Sequence, residues 1–330
     1  MKAWILDKYG EPEDSLVLRE TESPSPGEGE LLVDVHTAGL SFPDLLRVRS
    51  QYQIPLPLGQ PPGFEFVGTV QAGGAGTRTA AGTRVFGVST VNNGALADRL
   101  IAEEAFSAPL TDGVDDVIGA ALPSNYSTAS LALRRRGALQ KGETVVVTGG
   151  AGGVGSAVTH LAKAAGSPVL AVDAGPARRQ LCLDHGADAA VDATSEDVAA
   201  AINEFTAGKG ADVIIDMVGG DLFDACRTAI ASEGRIVIVG FTSNRIPEIQ
   251  VNRLLLRNFA IVGLNAFHYK DDMTALYTDI AGLCAAGHFT PTIDGPHPFE
   301  DAPRVLTRMA NGELHGKAVV VVNTPGEPSG

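Results

Sequence analysis

Cysteine is scarce. Cys182, Cys226 and Cys284 are the only ones in 330 residues, odd in number, widely spaced and set among apolar neighbours. That excludes a disulfide frame or a cysteine metal knuckle, and predicts buried thiols in a reducing, cytoplasmic compartment. Positive charge is short too: 25 Lys and Arg face 39 Asp and Glu, a net charge of −14. The deficit counts against nucleic acid or an anionic membrane as a partner. Long apolar runs are missing, since no window approaches the roughly 18 uninterrupted apolar residues of a membrane helix. The start, Met1-Lys2-Ala3-Trp4-Ile5-Leu6-Asp7, lacks the basic region and apolar stretch of a signal peptide. No repeat of solenoid period is found. What is present, 44% hydrophobic and 19% charged residues, is enough to bury sizeable cores. This length is more than one core usually needs, so two domains are expected.

Short strands punctuated by Gly and Pro fill the first 120 or so residues. Glu30–His36 alternates apolar and polar at its end, and Phe66–Val70 and Thr83–Val88 follow, with Ala72-Gly73-Gly74-Ala75-Gly76 between them. After Leu122 the pattern changes. Thr144-Val145-Val146-Val147-Thr148 is the continuous run of a strand covered on both faces. Further buried strands are predicted at Pro168–Asp173, Ala187–Asp192, Asp212–Val218, Arg235–Gly240 and Ala260–Leu264, with helices at Ala177–His185, Glu196–Phe205 and Leu222–Ala231. Alternating β and α units predict a doubly wound parallel sheet. Short strands return from about Pro291, ending in Lys317–Val322. The expected fold is α/β, with a β-barrel-like domain (1–121), an inserted Rossmann domain (122–266), and a connecting helix and return (267–330).

Gly150-Ala151-Gly152-Gly153-Val154-Gly155 fits G-x-G-x-x-G between a strand and a helix, the context in which this fingerprint cradles a dinucleotide pyrophosphate. Gly150 is read as the turn glycine, Gly152 as the point of phosphate approach and Gly155 as the helix-packing position. Ser156 stands where a triphosphate-binding loop needs Lys. Asp173 ends the next strand, 18 positions after Gly155, where an acid accepts ribose hydroxyls and repels a 2′-phosphate. It leans the reading toward NADH; Arg178 and Arg179, opening the following helix, could instead hold that phosphate. Val218, Gly219, Phe241 and Asn265 fall on loops at strand carboxyl ends, where open α/β sheets bind ligands.

Together, Ala38-Gly39-Leu40-Ser41-Phe42-Pro43-Asp44, Arg49-Ser50-Gln51-Tyr52, Pro62-Gly63-Phe64-Glu65-Phe66-Val67-Gly68, Ser127-Thr128-Ala129, the glycine loop and Gly186-Ala187-Asp188 with Asp192 resemble the medium-chain dehydrogenase/reductase superfamily. Within it the likeness is to the zinc-independent quinone oxidoreductase (zeta-crystallin-like) group, over nearly the whole chain. The resemblance implies a GroES-like β domain carrying a Rossmann domain, a nicotinamide rather than a flavin cofactor, and a homodimer. Zinc-dependent relatives carry ligands at positions matching Ser41, Phe64 and Ser124 here. Those side chains are not zinc ligands, so no metal is expected.

The resemblance also implies roles. Thr128 would contact the nicotinamide side of the cofactor, and Lys317 would lie near the cofactor cleft, although a solvated Lys is the plain alternative. Ser41, where many relatives have Asn, could contact the nicotinamide ribose or the acceptor oxygen. Asp44 reads rather as an acid ordering its loop. Tyr52 could hydrogen-bond the developing oxyanion or equally be packed in its loop; Tyr126 could face substrate, although packing is the first reading for an aromatic at a domain junction, as it is for His36 and His160. Without a Lewis acid, alcohol oxidation is disfavoured, whereas quinones and enones accept hydride once positioned. The expected function is NAD(P)H-dependent reduction of a small hydrophobic electrophile, a quinone. The alternatives are an enone or enoyl double-bond reductase, and a non-catalytic nucleotide-binding or structural protein.

Overall fold

The computed structural model describes residues 1–89 and 94–323. The chain forms two compact units, Met1–Ser124 with Lys270–Gly330, and Asn125–Tyr269.

In the first unit, one sheet is ordered Ile293–Pro298, Lys317–Val321, Glu30–Leu40, Glu65–Gly73, Arg84–Val88 and Ser107–Pro109, with Arg99–Glu103 also paired to Glu30–Leu40. All pairings are antiparallel except that of Ile293–Pro298 with Lys317–Val321. Val33, Val35, Phe66, Val85 and Leu100 fill the interior with no exposed surface, each burial stabilising by about 1.5–3 kcal/mol relative to an exposed side chain. A two-stranded sheet, Lys2–Leu6 against Leu16–Glu20, was not anticipated from the sequence.

The helix Phe42–Val48 was also missed. Ser41 is its N-cap, and the Asp44 carboxylate accepts from the Ser41 backbone N–H at 2.9 Å. Pro43 sits where a helix start tolerates it. These local signals are clear once the helix is sought.

In the second unit, six parallel strands run in the order Ala189–Asp192, Val169–Asp173, Val145–Thr148, Ala211–Asp216, Ile230–Ile238, Ala260–Gly263. This is the Rossmann order, reversing direction at the strand that feeds the glycine loop. The predicted strands stand, some ends unchanged and the others moved by up to five residues. One helix ends earlier than expected: Leu222–Ala231 gives way to Gly220–Thr228, and Ile230 and Ala231 belong to the next strand. There the pairing jumps from Ala211–Ile230 to Val213–Arg235, a bulge that helical composition concealed.

Cys182 and Cys226 are buried as expected, but Cys284 is only half-buried. Among the described residues no helix is long and apolar enough to cross a membrane.

Candidate functional site

Each unit carries one concentration of the expected residues. In the second unit, the strand Val145–Thr148 turns at Gly149 into the helix Gly153–Ala164. The turn glycine is Gly149, with φ +66°, and not Gly150, to which the motif had assigned that role. Gly150 is needed for another reason: a Cβ there would lie 2.8 Å from the Ala171 Cβ and 2.9 Å from the Cys182 Sγ. At Gly155 a Cβ would lie 2.2 Å from the Gly149 carbonyl oxygen, so this glycine does bring helix and strand together. At Gly153 it would strike the Asn125 side-chain amide at 2.4 Å. Gly152, the N-cap, is open: a Cβ would meet only the Gly149 oxygen, at 3.2 Å. The first helical turn, Gly153, Val154 and Gly155, thus has N–H groups without helical partners, with Val154 the only one of the three to carry a side chain.

Asp173 and Arg178, read from the sequence as rivals, are paired. Asp173 Oδ1 accepts from the Ala174 N–H at 2.8 Å and from Arg178 Nε at 2.6 Å. Its Oδ2 accepts from the Ala151 N–H at 2.9 Å and from Arg178 at 3.2 Å. The acid therefore braces the glycine loop directly. Arg179 is occupied elsewhere, donating to the Ala190 carbonyl at 2.8 Å and pairing with Glu196 at 3.4 Å.

A residue the sequence reading passed over organises the next loop. Asp216, fully buried, accepts from the Thr148 hydroxyl at 2.6 Å and from the Val218 and Gly219 N–H groups at 3.1 Å. An acid closing the apolar run Val213-Ile214-Ile215 was the available signal. Val218 is half-buried beside it, Phe241 and Asn265 are exposed, and Thr128 is half-buried on the helix Pro123–Ser130.

Tyr126 is 2% exposed, and its hydroxyl is 2.7 Å from His160 Nδ1. His160 in turn stands edge-on to His185, their centroids 6.1 Å apart. Burial, and secondarily His185, push the His160 pKa down to about 4. The unfolded imidazole, near 6.5, binds more protons across this window, so stability rises with pH through it. It is complete above pH 6.5 and lost as pH falls toward 4, by about 3 kcal/mol at full protonation. His160→Gln should therefore flatten the acid limb of a Tm-against-pH curve, and variant and wild-type curves of equal slope would refute the assignment. Asp44, raised to about 6 by burial, works in the opposite sense. It lies in the other unit, and the wild-type-minus-variant difference removes it.

In the first unit, Ser41, Glu65, Ser124 and Lys317 converge. Lys317 is not solvated but 6% exposed, and Glu65 is fully buried. The Lys317 ammonium donates to Ser41 Oγ at 2.6 Å and to Glu65 Oε1, which also accepts from the Ser41 hydroxyl. The Ser124 N–H donates to Glu65 Oε2 at 3.1 Å. Gly39 makes the room, because a Cβ there would lie 3.1 Å from Lys317 Cε and 2.2 Å from the Ala120 oxygen. Asp44 is the loop-ordering acid expected, taking the Ser41 and Gly63 N–H groups on its two oxygens. His36 bridges Asp116 at 2.7 Å and Thr69 at 3.0 Å. Tyr52 lies half-buried after the helix Phe42–Val48 and interacts with Arg47 and Asp44.

Residues 27–112 match a family model described as an alcohol dehydrogenase GroES-like domain, and residues 153–281 one described as a zinc-binding dehydrogenase. Quinone oxidoreductase-like protein 2 of Mus musculus is 35% identical over 265 residues, 80% of this chain and 75% of its own. The chain belongs to the medium-chain dehydrogenase/reductase superfamily. Within that superfamily it falls in the quinone oxidoreductase-like group. A mycobacterial protein solved with NADPH superposes with a TM-score of 0.85 at 27% identity, over 97% of this chain and 100% of that one. Phthioceranic/hydroxyphthioceranic acid synthase of Mycobacterium tuberculosis is 29% identical over 309 residues, 92% of this chain and 14% of the synthase. As a medium-chain dehydrogenase/reductase the chain is an oxidoreductase. The first-unit cluster does not fit the zinc of the superfamily's metal-dependent members. Two hydroxyl-bearing residues and Phe64 are not its ligands, and the Lys317 ammonium among them would repel a divalent cation.

Proposed function

We propose that the chain is a reductase that passes hydride from NADH or NADPH to a quinone-like acceptor without a metal. The observation that carries the nucleotide half is the helix start at Gly152–Gly155, where three of four residues are glycine, preceded by Ala151, whose N–H is held by Asp173. When bound, the nicotinamide supplies the hydride. The chain's own share is to hold the pyrophosphate on the N–H groups of the first turn, to present Asp173 and Arg178 to the adenosine ribose, and to position the acceptor. Oxidation of NADH and NADPH with a panel of quinones and enones tests the reading. Turnover of quinones supports it, and failure with every acceptor despite tight nucleotide binding would overturn it in favour of a binding role. Similarity to the synthase keeps a double-bond reductase as the second reading, which the enone arm of the panel examines.

Nucleotide choice is proposed to rest on Arg178 rather than Arg179. A 2′-phosphate can take Arg178 from Asp173, whereas Arg179 is held by Ala190 and Glu196. Arg178→Ala should lower the NADPH-to-NADH preference about tenfold, and Arg179→Ala should shift it less than threefold. Equal effects in the two variants would sink the distinction.

A homodimer is proposed through the outer strand Ala260–Gly263 and the segment leading to it. Ile246, Val251, Leu255 and Leu256 there are 70–77% exposed, an apolar density unusual for free surface. Leu255→Glu should convert a dimer to a monomer in sedimentation velocity. A wild-type monomer would end this reading.

A further inference from the structure

One face of the helix Pro176–Asp184 is turned to the glycine loop. Arg178 reaches the loop through Asp173, and the Sγ of Cys182, four residues on, is 2.9 Å from where a Gly150 Cβ would stand. His185 follows three residues later on the same face, its N–H bonded to the Leu181 carbonyl at 2.9 Å. It is 6% exposed, and its imidazole stands edge-on to His160 of the helix that the loop opens. The same ring hydrogen-bonds the Gly150 backbone.

That bond has a single direction and a single nitrogen. The Gly150 N–H is already given to the Val172 carbonyl at 3.2 Å, so the Gly150 group that meets His185 is its carbonyl, an acceptor. His185 Nδ1 is buried with no partner among the described residues, so the donor is Nε2. Burial pushes the His185 pKa below the ordinary 6.5; at neutral pH the ring therefore holds one proton, and it sits on Nε2. Packing alone does not account for a histidine here. Leucine would fill the space without leaving a ring nitrogen unsatisfied.

We infer that His185 is a positioning residue for nucleotide binding, its Nε2–H holding the Gly150 carbonyl so that the loop is set before a pyrophosphate arrives. The inference rests on the proposed nucleotide site at Gly152–Gly155. The Gly150–Ala151 peptide is a rigid plane, and both of its polar groups are tied. His185 takes the carbonyl, and Asp173 takes the Ala151 N–H at 2.9 Å. The plane cannot turn without breaking one of the two bonds. Glycines flank Ala151 on both sides, and without such ties their wide conformational range would let the loop wander. A loop already in its bound shape loses less freedom when ligand arrives. The role needs no contact between His185 and the nucleotide, so it acts alike on every dinucleotide, unlike that of Arg178.

Equilibrium binding tests the inference apart from turnover. NADH, NADPH and ADP-ribose are titrated by calorimetry into the wild type, His185→Leu, His185→Gln and His185→Asn. The Gln amide nitrogen reaches the place of Nε2, whereas that of Asn reaches only the place of Nδ1. His185→Leu and His185→Asn should each weaken all three ligands roughly tenfold, with the NADPH-to-NADH ratio unchanged within about twofold. His185→Gln should bind within about threefold of the wild type. A His185→Leu protein that binds like the wild type overturns the inference, as does a Gln variant no better than the Asn variant. A loss that spares ADP-ribose also overturns it, because the effect would then lie on the nicotinamide side. Should His185→Leu not fold, the Gln and Asn variants decide by the same comparison. Nitrogen-15 spectra of the wild-type ring at pH 7 give a second readout: a proton on Nε2 is expected, and one on Nδ1 would refute the bond to Gly150. If the chain reduces no acceptor yet these affinities shift as stated, the proposed reaction fails while the role of His185 stands. A wild type that binds none of the three ligands ends both the nucleotide site and this inference.

Discussion

Gly155→Ala is expected to lower the Tm by several degrees and to weaken NADPH binding at least a hundredfold. The added Cβ would sit 2.2 Å from the Gly149 carbonyl oxygen and 2.7 Å from the Gly150 Cα. Both are backbone atoms, so no rotamer change relieves the contact. The helix Gly153–Ala164 must instead move away from the strand that it follows. Overpacking of this kind costs about 1–3 kcal/mol, and a displacement near 1 Å of the phosphate-binding turn is enough for about a hundredfold loss of function. Gly152→Ala supplies the contrast. Its Cβ has only one neighbour, at 3.2 Å, so the fold should tolerate it and the Tm should change little. If the strip at Gly152 is where a pyrophosphate approaches, nucleotide affinity should still fall, by roughly tenfold. Thermal melts and nucleotide fluorescence on the two variants separate a loop that is merely tight from one shaped for a ligand. A Gly155→Ala protein with unchanged Tm would contradict the packing, and a Gly152→Ala protein with unchanged affinity would contradict the cradle.

Much of the Rossmann unit could be read from the chain because its signals are local. A doubly covered strand, a glycine turn and an amphipathic helix follow one another between Val145 and Ala164, and each constrains the next. Which glycine bends the turn was not readable, because Gly149 and Gly150 differ only in φ and in what lies across from them. Asp173 and Arg178 were both found, but their pairing was not. Five residues apart, they meet only because the strand ends and the next helix begins between them. The first-unit cluster was the least accessible part. Lys317 lies 252 residues from Glu65 and 276 from Ser41, and no pattern of period 2 or 3.6 joins positions so far apart. A signal did exist: Glu65 stands between Phe64 and Phe66, and Lys317 opens the run Ala318-Val319-Val320-Val321. Charges embedded in apolar strands are seldom buried unpaired, and two of opposite sign invite each other as partners.

Tyr52→Phe is expected to reduce kcat by roughly ten- to a thousandfold and to leave nucleotide affinity within about twofold. The reasoning is by elimination among the hydroxyls that the sequence proposed. Ser41 has its proton committed to Glu65, and the Tyr126 hydroxyl is committed to His160. The Tyr52 phenol remains, half-buried, hydrogen-bonded to the neighbouring Gln53 side chain and close to Arg47. Burial raises its pKa above the ordinary 10, an effect that Gln53 and Arg47 only partly offset. The group therefore carries its proton throughout the neutral range and can donate to an oxygen that gains charge as hydride arrives. Its titration should not appear in the rate profile below pH 9. Steady-state kinetics of Tyr52→Phe with a quinone and with an enone check the role. Full turnover on both would make Tyr52 a wall of the site and leave water as the proton source. A loss confined to the enone would favour the double-bond reductase: its product needs a proton on carbon, which water delivers slowly, whereas the oxygens of a reduced quinone exchange protons with water unaided.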